Sequence, residues 1–110
     1  MAKRRYAYIT SAWSEHPWEN LERADWYCRV VFLAGMIPVC PIRNCAGYID
    51  FEVAEEYKAF SDICRAEAKR CPVLVVCGNA TDETVMEDIA IARRAGNTVT
   101  SLEGLQTYGD

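Results

Sequence analysis

The segment that decides the fold runs from Cys71 to Gly96 and reads CPVLVVCGNATDETVMEDIAIARRAG. Val73 to Cys77 is a continuous apolar run, the pattern of a strand covered on both faces. Gly78 to Thr81 is a polar turn. From Asp82 the apolar spacing changes to three and four residues. Val85, Ile89 and Ala92 then share one face of a helix, Asp82 to Ala95, which Gly96 ends. A buried strand, a short turn and a helix returning over it form one unit of a parallel sheet. The helix opens with acid: Asp82, Glu83, Glu87 and Asp88. Carboxylates there either answer the positive end of the helix dipole or line an active site.

Working outward, the same alternation repeats. Tyr6 to Thr10 reads as a buried strand rich in aromatic and β-branched residues. The loop from Ser11 to Pro17 holds Trp13, with Trp18 at its edge. Trp18 to Ala34 is helical, with Leu21, Ala24, Cys28 and Val31 on one face and Gly35 ending it. Met36 to Cys40 is a second strand. Pro38 cannot donate to a ladder, which places this strand at the sheet edge. Pro41 to Tyr48 reads as a loop containing Arg43.

Asp50 to Arg70 is helical, with Val53, Tyr57, Phe60 and Cys64 on one face. Asp50 is the candidate cap, and a break is expected near Ser61-Asp62. Asn97 to Thr100 is a fourth strand, and the last ten residues read as a tail. The order β-α-β-α-β-α-β predicts an α/β chain: a small Rossmann-like three-layer fold. Its parallel sheet has about four strands in the order 2-1-3-4, with helices on both faces. That order puts a topological switch point between the first and third strands, where ligands bind beyond the carboxyl ends.

The bulk numbers narrow the function. A chain of 110 residues is expected to form a single domain, 1–110. Its formal charge of −4 argues against nucleic acid as a partner, since Lys3-Arg4-Arg5 is the one basic run. No stretch has the length of a membrane span, and residues 1–20 lack the apolar core of a signal peptide. A cytoplasmic protein without a membrane partner is expected. The six cysteines include no C-x-x-C pair, and His16 is far from them in sequence. Cys28, Cys64 and Cys77 fall where core residues are wanted, while Cys40 and Cys45 flank a loop. No metal and no cofactor are expected.

The first loop reads T-S-A-W-S, without the glycines of a dinucleotide fingerprint, and there is no P-loop. Asp82 and Glu83 occupy the helix N-terminus that would otherwise attract phosphate. The turn suits neutral hydroxyls, such as a ribose, and Arg43 is the candidate for any phosphate.

Five stretches carry a resemblance. Tyr8-Ile9-Thr10-Ser11-Ala12-Trp13 resembles the Y-x-x-S-P-Y opening of nucleoside 2-deoxyribosyltransferase-like proteins, part of the SLOG group of Rossmann-like domains. Asn20-x-x-x-Ala24 resembles the N-x-x-x-A of its first helix. Gly35-x-Ile37-Pro38-Val39-x-Pro41 resembles G-x-I-P-x-x-P. Cys71-Pro72-Val73-Leu74-Val75-Val76-Cys77-Gly78 resembles C-D-x-L-W-V-F-G. Glu83 to Asp88, with Ala92 and Gly96, resembles E-G-M-x-x-E-x-x-x-A-x-x-x-G.

The resemblance implies a carboxylate nucleophile on the last of these helices, a covalent glycosyl–enzyme intermediate and double displacement. Asp88 stands at the nucleophile position, with a stem shorter than glutamate's by about 1.5 Å. Glu87 serves if the register slips by one. Its alternative is a capping box with Thr84. Thr84 replaces the family's glycine, Pro72 its aspartate and Ala12 its proline. Tyr8, Ser11, Trp13, Arg43, Gly78, Glu83 and Thr84 are the candidate ligand contacts.

Two readings follow. The chain binds a nucleoside or nucleotide-derived molecule without turnover, to sense or sequester it. Alternatively it is a nucleoside deoxyribosyltransferase or nucleotide N-glycosidase. The resemblance also implies a homo-oligomer, with Trp26 and Phe32 off the main apolar face as its candidate interface.

Overall fold

In the computed structural model, which describes residues 3–13 and 16–108, Val73–Cys77 forms a central strand, β3. It pairs in parallel with β1, Tyr6–Ser11, on one side and with β4, Thr98–Ser101, on the other. β2, Ile37–Val39, pairs with β1 and lies at the edge. The four-stranded sheet has the order β2-β1-β3-β4, as the sequence pattern requires. Pro38 thus sits where its missing donor costs no internal ladder bond.

Two helices cover one face of the sheet. Ala7 and Ile9 of β1 and Val73, Val75 and Cys77 of β3 pack under Ala24, Tyr27 and Val31 of α1, Pro17–Leu33. Leu105 of α5, Leu102–Tyr108, joins them. The alternate residues Tyr8 and Leu74 face the other way. They meet Ala68 of α3, Ala54–Arg70, and Ala92 of α4, Glu83–Arg94, with Cys64 and Ile89 packed at the margin. The period-two alternation of β1 and β3 therefore builds a separate core on each face. α3 and α4 lie side by side. The left-handed turn at Gly96 (φ 78°) closes α4: Gly96 N–H donates to Arg93 and Asn97 N–H to Ala92.

Several expectations are corrected. Pro41 to Tyr48 is not all loop, because Pro41–Cys45 forms a short helix, α2. Pro41 supplies a pre-set φ at its first turn, and Pro41 and Cys45 are buried beneath it. Asp50 does not cap α3, which starts at Ala54 behind Val53. Its Oδ1 accepts from Glu52 N–H at 3.0 Å in a preceding turn. α3 runs without a break through Ser61-Asp62. Within the tail, Leu102–Tyr108 forms the helix α5, and Ser101 Oγ accepts from Gly104 N–H at 3.0 Å at its start.

The cysteines are all free thiols, and Cys40, Cys45, Cys71 and Cys77 are buried. Among the described residues no group of His, Cys, Asp and Glu is arranged to hold a metal, and no helix is long and apolar enough to cross a membrane. Trp26 is exposed. Phe32 is half-exposed and lies 4.3 Å beneath the Arg4 guanidinium.

Candidate functional site

Asp88 lies on the inward stripe of α4, three residues after Val85 and four before Ala92, both fully buried. Helical spacing therefore carries a carboxylate into the space between α4 and β1, where it is only 3% exposed. A carboxylate in such a position is costly unless it is hydrogen-bonded. Tyr8 and Thr10, two apart on β1, project from the same face of the sheet toward it. Thr10 Oγ1 donates to Asp88 Oδ2 at 2.7 Å and Tyr8 OH donates to the same oxygen at 3.3 Å.

Both bonds fall on Oδ2. Oδ1 accepts none among the described residues. Asp88 is one of the residues that line the adjoining cavity.

Burial raises the Asp88 carboxyl above the usual carboxylate range, and neighbouring Glu87 adds to this; the Thr10 and Tyr8 hydrogen bonds and the Arg65 charge act the other way. Burial also raises the Tyr8 hydroxyl, with Cys64 and Asp88 adding to it, so Tyr8 remains a donor. The Cys64 thiol, beside Tyr8 on α3, is pushed up to about 12 chiefly by burial.

The cavity is about 720 Å³ and opens at the carboxyl end of the sheet, beside the crevice between β1 and β3. That is the size of a small-molecule site. Its wall is aromatic: Trp13 from the first loop, and Phe51, Tyr57 and Phe60 around the start of α3. Phe51 and Phe60 meet edge to face at 4.9 Å. Its charged lining is Glu52, Asp82, Glu87, Asp88 and Arg65.

Of the residues expected at the site, Tyr8, Ser11, Trp13, Thr84, Glu87 and Asp88 are brought together around this cavity. Arg43, Gly78 and Glu83 are not among its lining. Arg43 instead pairs with Asp25 of α1 at 2.9 Å, both largely exposed. Glu83 is exposed in the first turn of α4. Gly78 has φ 84° at the exit of β3, and a side chain there would meet Ser11 Oγ at 3.6 Å.

The capping box is also corrected. The cap of α4 is Asp82, whose Oδ1 accepts from Val85 N–H at 3.1 Å. Glu87 pairs with Arg65 at 3.6 Å, which ties α4 to α3 across the cavity rim.

The sequence reading missed Thr10, Arg65, the α3 aromatics and Arg23. Thr10 was legible, since it shares the strand face of Tyr8. Arg23 lies behind the first loop. Its Nη2 donates to Ser11 Oγ at 2.9 Å and to Tyr27 OH at 3.2 Å, and its guanidinium lies 5.5 Å from the Trp13 ring. It thereby fixes both Ser11 and the aromatic at the cavity mouth.

No curated protein matches the chain. A family model matches residues 5–102, which span every strand from β1 to β4, so the chain belongs to the family described as Domain of unknown function (DUF7768).

Proposed function

We propose that this protein binds a nucleoside-class ligand in the cavity at the carboxyl end of the sheet. The observation that carries the reading is Asp88. It is a buried carboxylate with one oxygen fixed by Thr10 and Tyr8, and it lines an aromatic-walled cavity. Aromatic side chains give a planar base its stacking surface, and a fixed acceptor suits a sugar hydroxyl. The sequence resemblance to nucleoside 2-deoxyribosyltransferase-like proteins points the same way, as does the position at the switch point. In this reading the ligand is held intact, for sensing or sequestration, and the homo-oligomer implied by the resemblance belongs with it.

Oδ1, which accepts no hydrogen bond among the described residues, favours a second reading, in which Asp88 is a nucleophile. Oδ1 attacks the anomeric carbon, the bond to the base breaks with its electron pair leaving on the base nitrogen, and water or a second base then takes the sugar. Tyr8 and Thr10 hold the carboxylate in position during attack.

One experiment separates the two. The protein is incubated with a panel of nucleosides and deoxynucleosides while thermal shift and free base are followed. A stabilising nucleoside that stays intact, with the shift lost in Asp88→Ala, supports binding. Free base released by the native chain but not by Asp88→Ala supports the nucleophile. Absence of any shift and any release across the panel sinks both.

A further inference from the structure

The charge around the cavity specifies its occupant more narrowly, on the footing that the cavity holds a nucleoside. Arg65 is the single cation among the described lining residues. It is already engaged, by Glu87 at 3.6 Å and Asp62 at 3.5 Å. Arg23 is turned to Ser11, Tyr27 and the carbonyl of Ala12, behind Trp13, and is not part of the lining. Four carboxylates line the same space. Asp82 is used by the helix cap and Glu87 by Arg65. Two remain: Glu52, whose carboxylate has no partner among the described residues, and Asp88, whose Oδ1 accepts no hydrogen bond among them.

A phosphate placed here meets unneutralised carboxylates and, among the described residues, no free cation, which is the reverse of what phosphate recognition requires. A positively charged ring meets two carboxylates and aromatic faces. Both attract it, and partial exclusion of water strengthens both.

We infer that the cavity selects an unphosphorylated nucleoside whose base carries a positive charge, a pyridinium or an N-alkylated purine. The base stacks against the Trp13 and α3 aromatics, with Glu52 at its rim and Asp88 beneath the sugar. The acidic lining then rejects the 5′-phosphorylated form of the same compound.

Calorimetry near neutral pH and low salt tests this with matched pairs. Nicotinamide riboside is compared with its uncharged 1,4-dihydro form, 1-methyladenosine with adenosine, and nicotinamide riboside with its 5′-phosphate. The cationic member of at least one pair is expected to bind roughly tenfold more tightly than its neutral partner. The phosphate is expected to weaken binding. Glu52→Gln is expected to narrow the cationic preference roughly two- to fivefold.

Neutral members binding as well as or better than cationic ones, or a phosphate that strengthens binding, overturns the inference. If neutral nucleosides bind without charge preference, the inference falls while nucleoside binding stands. If no compound in the set binds, both fall.

Discussion

Thr10 Oγ1 stands 2.7 Å from Asp88 Oδ2, across 78 residues of sequence, and this contact joins the first strand to the last crossover helix. It is a hydrogen bond to a buried carboxylate, and such bonds contribute about 1.5–3 kcal/mol. Thr10→Val keeps the shape and removes the donor. A loss of about 2 kcal/mol is expected by urea unfolding at neutral pH. The hydroxyl holds the Asp88 pKa down, so its removal raises the folded-state pKa further. The loss should therefore shrink as pH falls and Asp88 becomes neutral. A loss independent of pH would assign Thr10 to packing.

Asp88 itself should be a stability cost at neutral pH. Its folded pKa is raised above the ordinary value by burial, so the folded state binds the proton more tightly than the unfolded chain. Stability from this group is present at low pH and is lost as pH rises through the folded pKa. Asp88→Asn is thus expected to melt above the native protein at pH 8. The gap should close as pH is lowered toward the unfolded carboxyl value. The same variant should lose ligand binding. A variant that melts below the native chain at every pH would mean the ionised carboxylate is a net stabiliser.

Asp82 caps α4 through Val85 N–H. Asp82→Ala should cost about 1 kcal/mol in chemical unfolding, read as a shift of the urea midpoint without a change of slope. It also withdraws a carboxylate from the cavity lining, so any ligand affinity should change separately from the midpoint.

Gly78 leaves β3 with φ 84°, and a methyl group there meets only ordinary contacts at 3.6 Å and beyond. The strain of Gly78→Ala is therefore in the backbone and should amount to roughly 1–2 kcal/mol. Thermal melting of Gly78→Ala checks this. An unchanged midpoint would show that the turn relaxes to negative φ.

The long elements were legible because each carries its own periodicity. Val73 to Cys77 is apolar throughout, and α4 repeats Val85, Ile89 and Ala92 before a glycine. α2 and α5 were not, because helices of five and seven residues are too short to show a stripe. Their existence rests on tertiary cover of Cys45 and Leu105. Asp88 was legible as a candidate, since it sits between Val85 and Ala92 on a buried stripe. Its partners required the sheet order, which brings β1 against α4. The aromatic wall required knowing which end of α3 reaches the cavity. Arg43 looked unpaired in sequence, and the pairing with Asp25 depends on α2 folding back over α1.

The buried thiols have a practical consequence. Cys71 is pushed up to about 11 and Cys77 to about 12, chiefly by burial. Cys40 and Cys45 are buried as well. A thiolate rather than a thiol reacts with labelling reagents, so Cys71 and Cys77 stay silent while the chain is folded, and burial shields Cys40 and Cys45 from the reagent. Cys71 precedes β3 and Cys77 is its last residue, while Cys40 precedes α2 and Cys45 is its last residue. Labelling followed by mass mapping therefore reads out two regions independently: the centre of the sheet and the rim beside the cavity. If a ligand fastens that rim, Cys45 should slow before Cys77 does, and the chain then reports its own occupancy without an added probe.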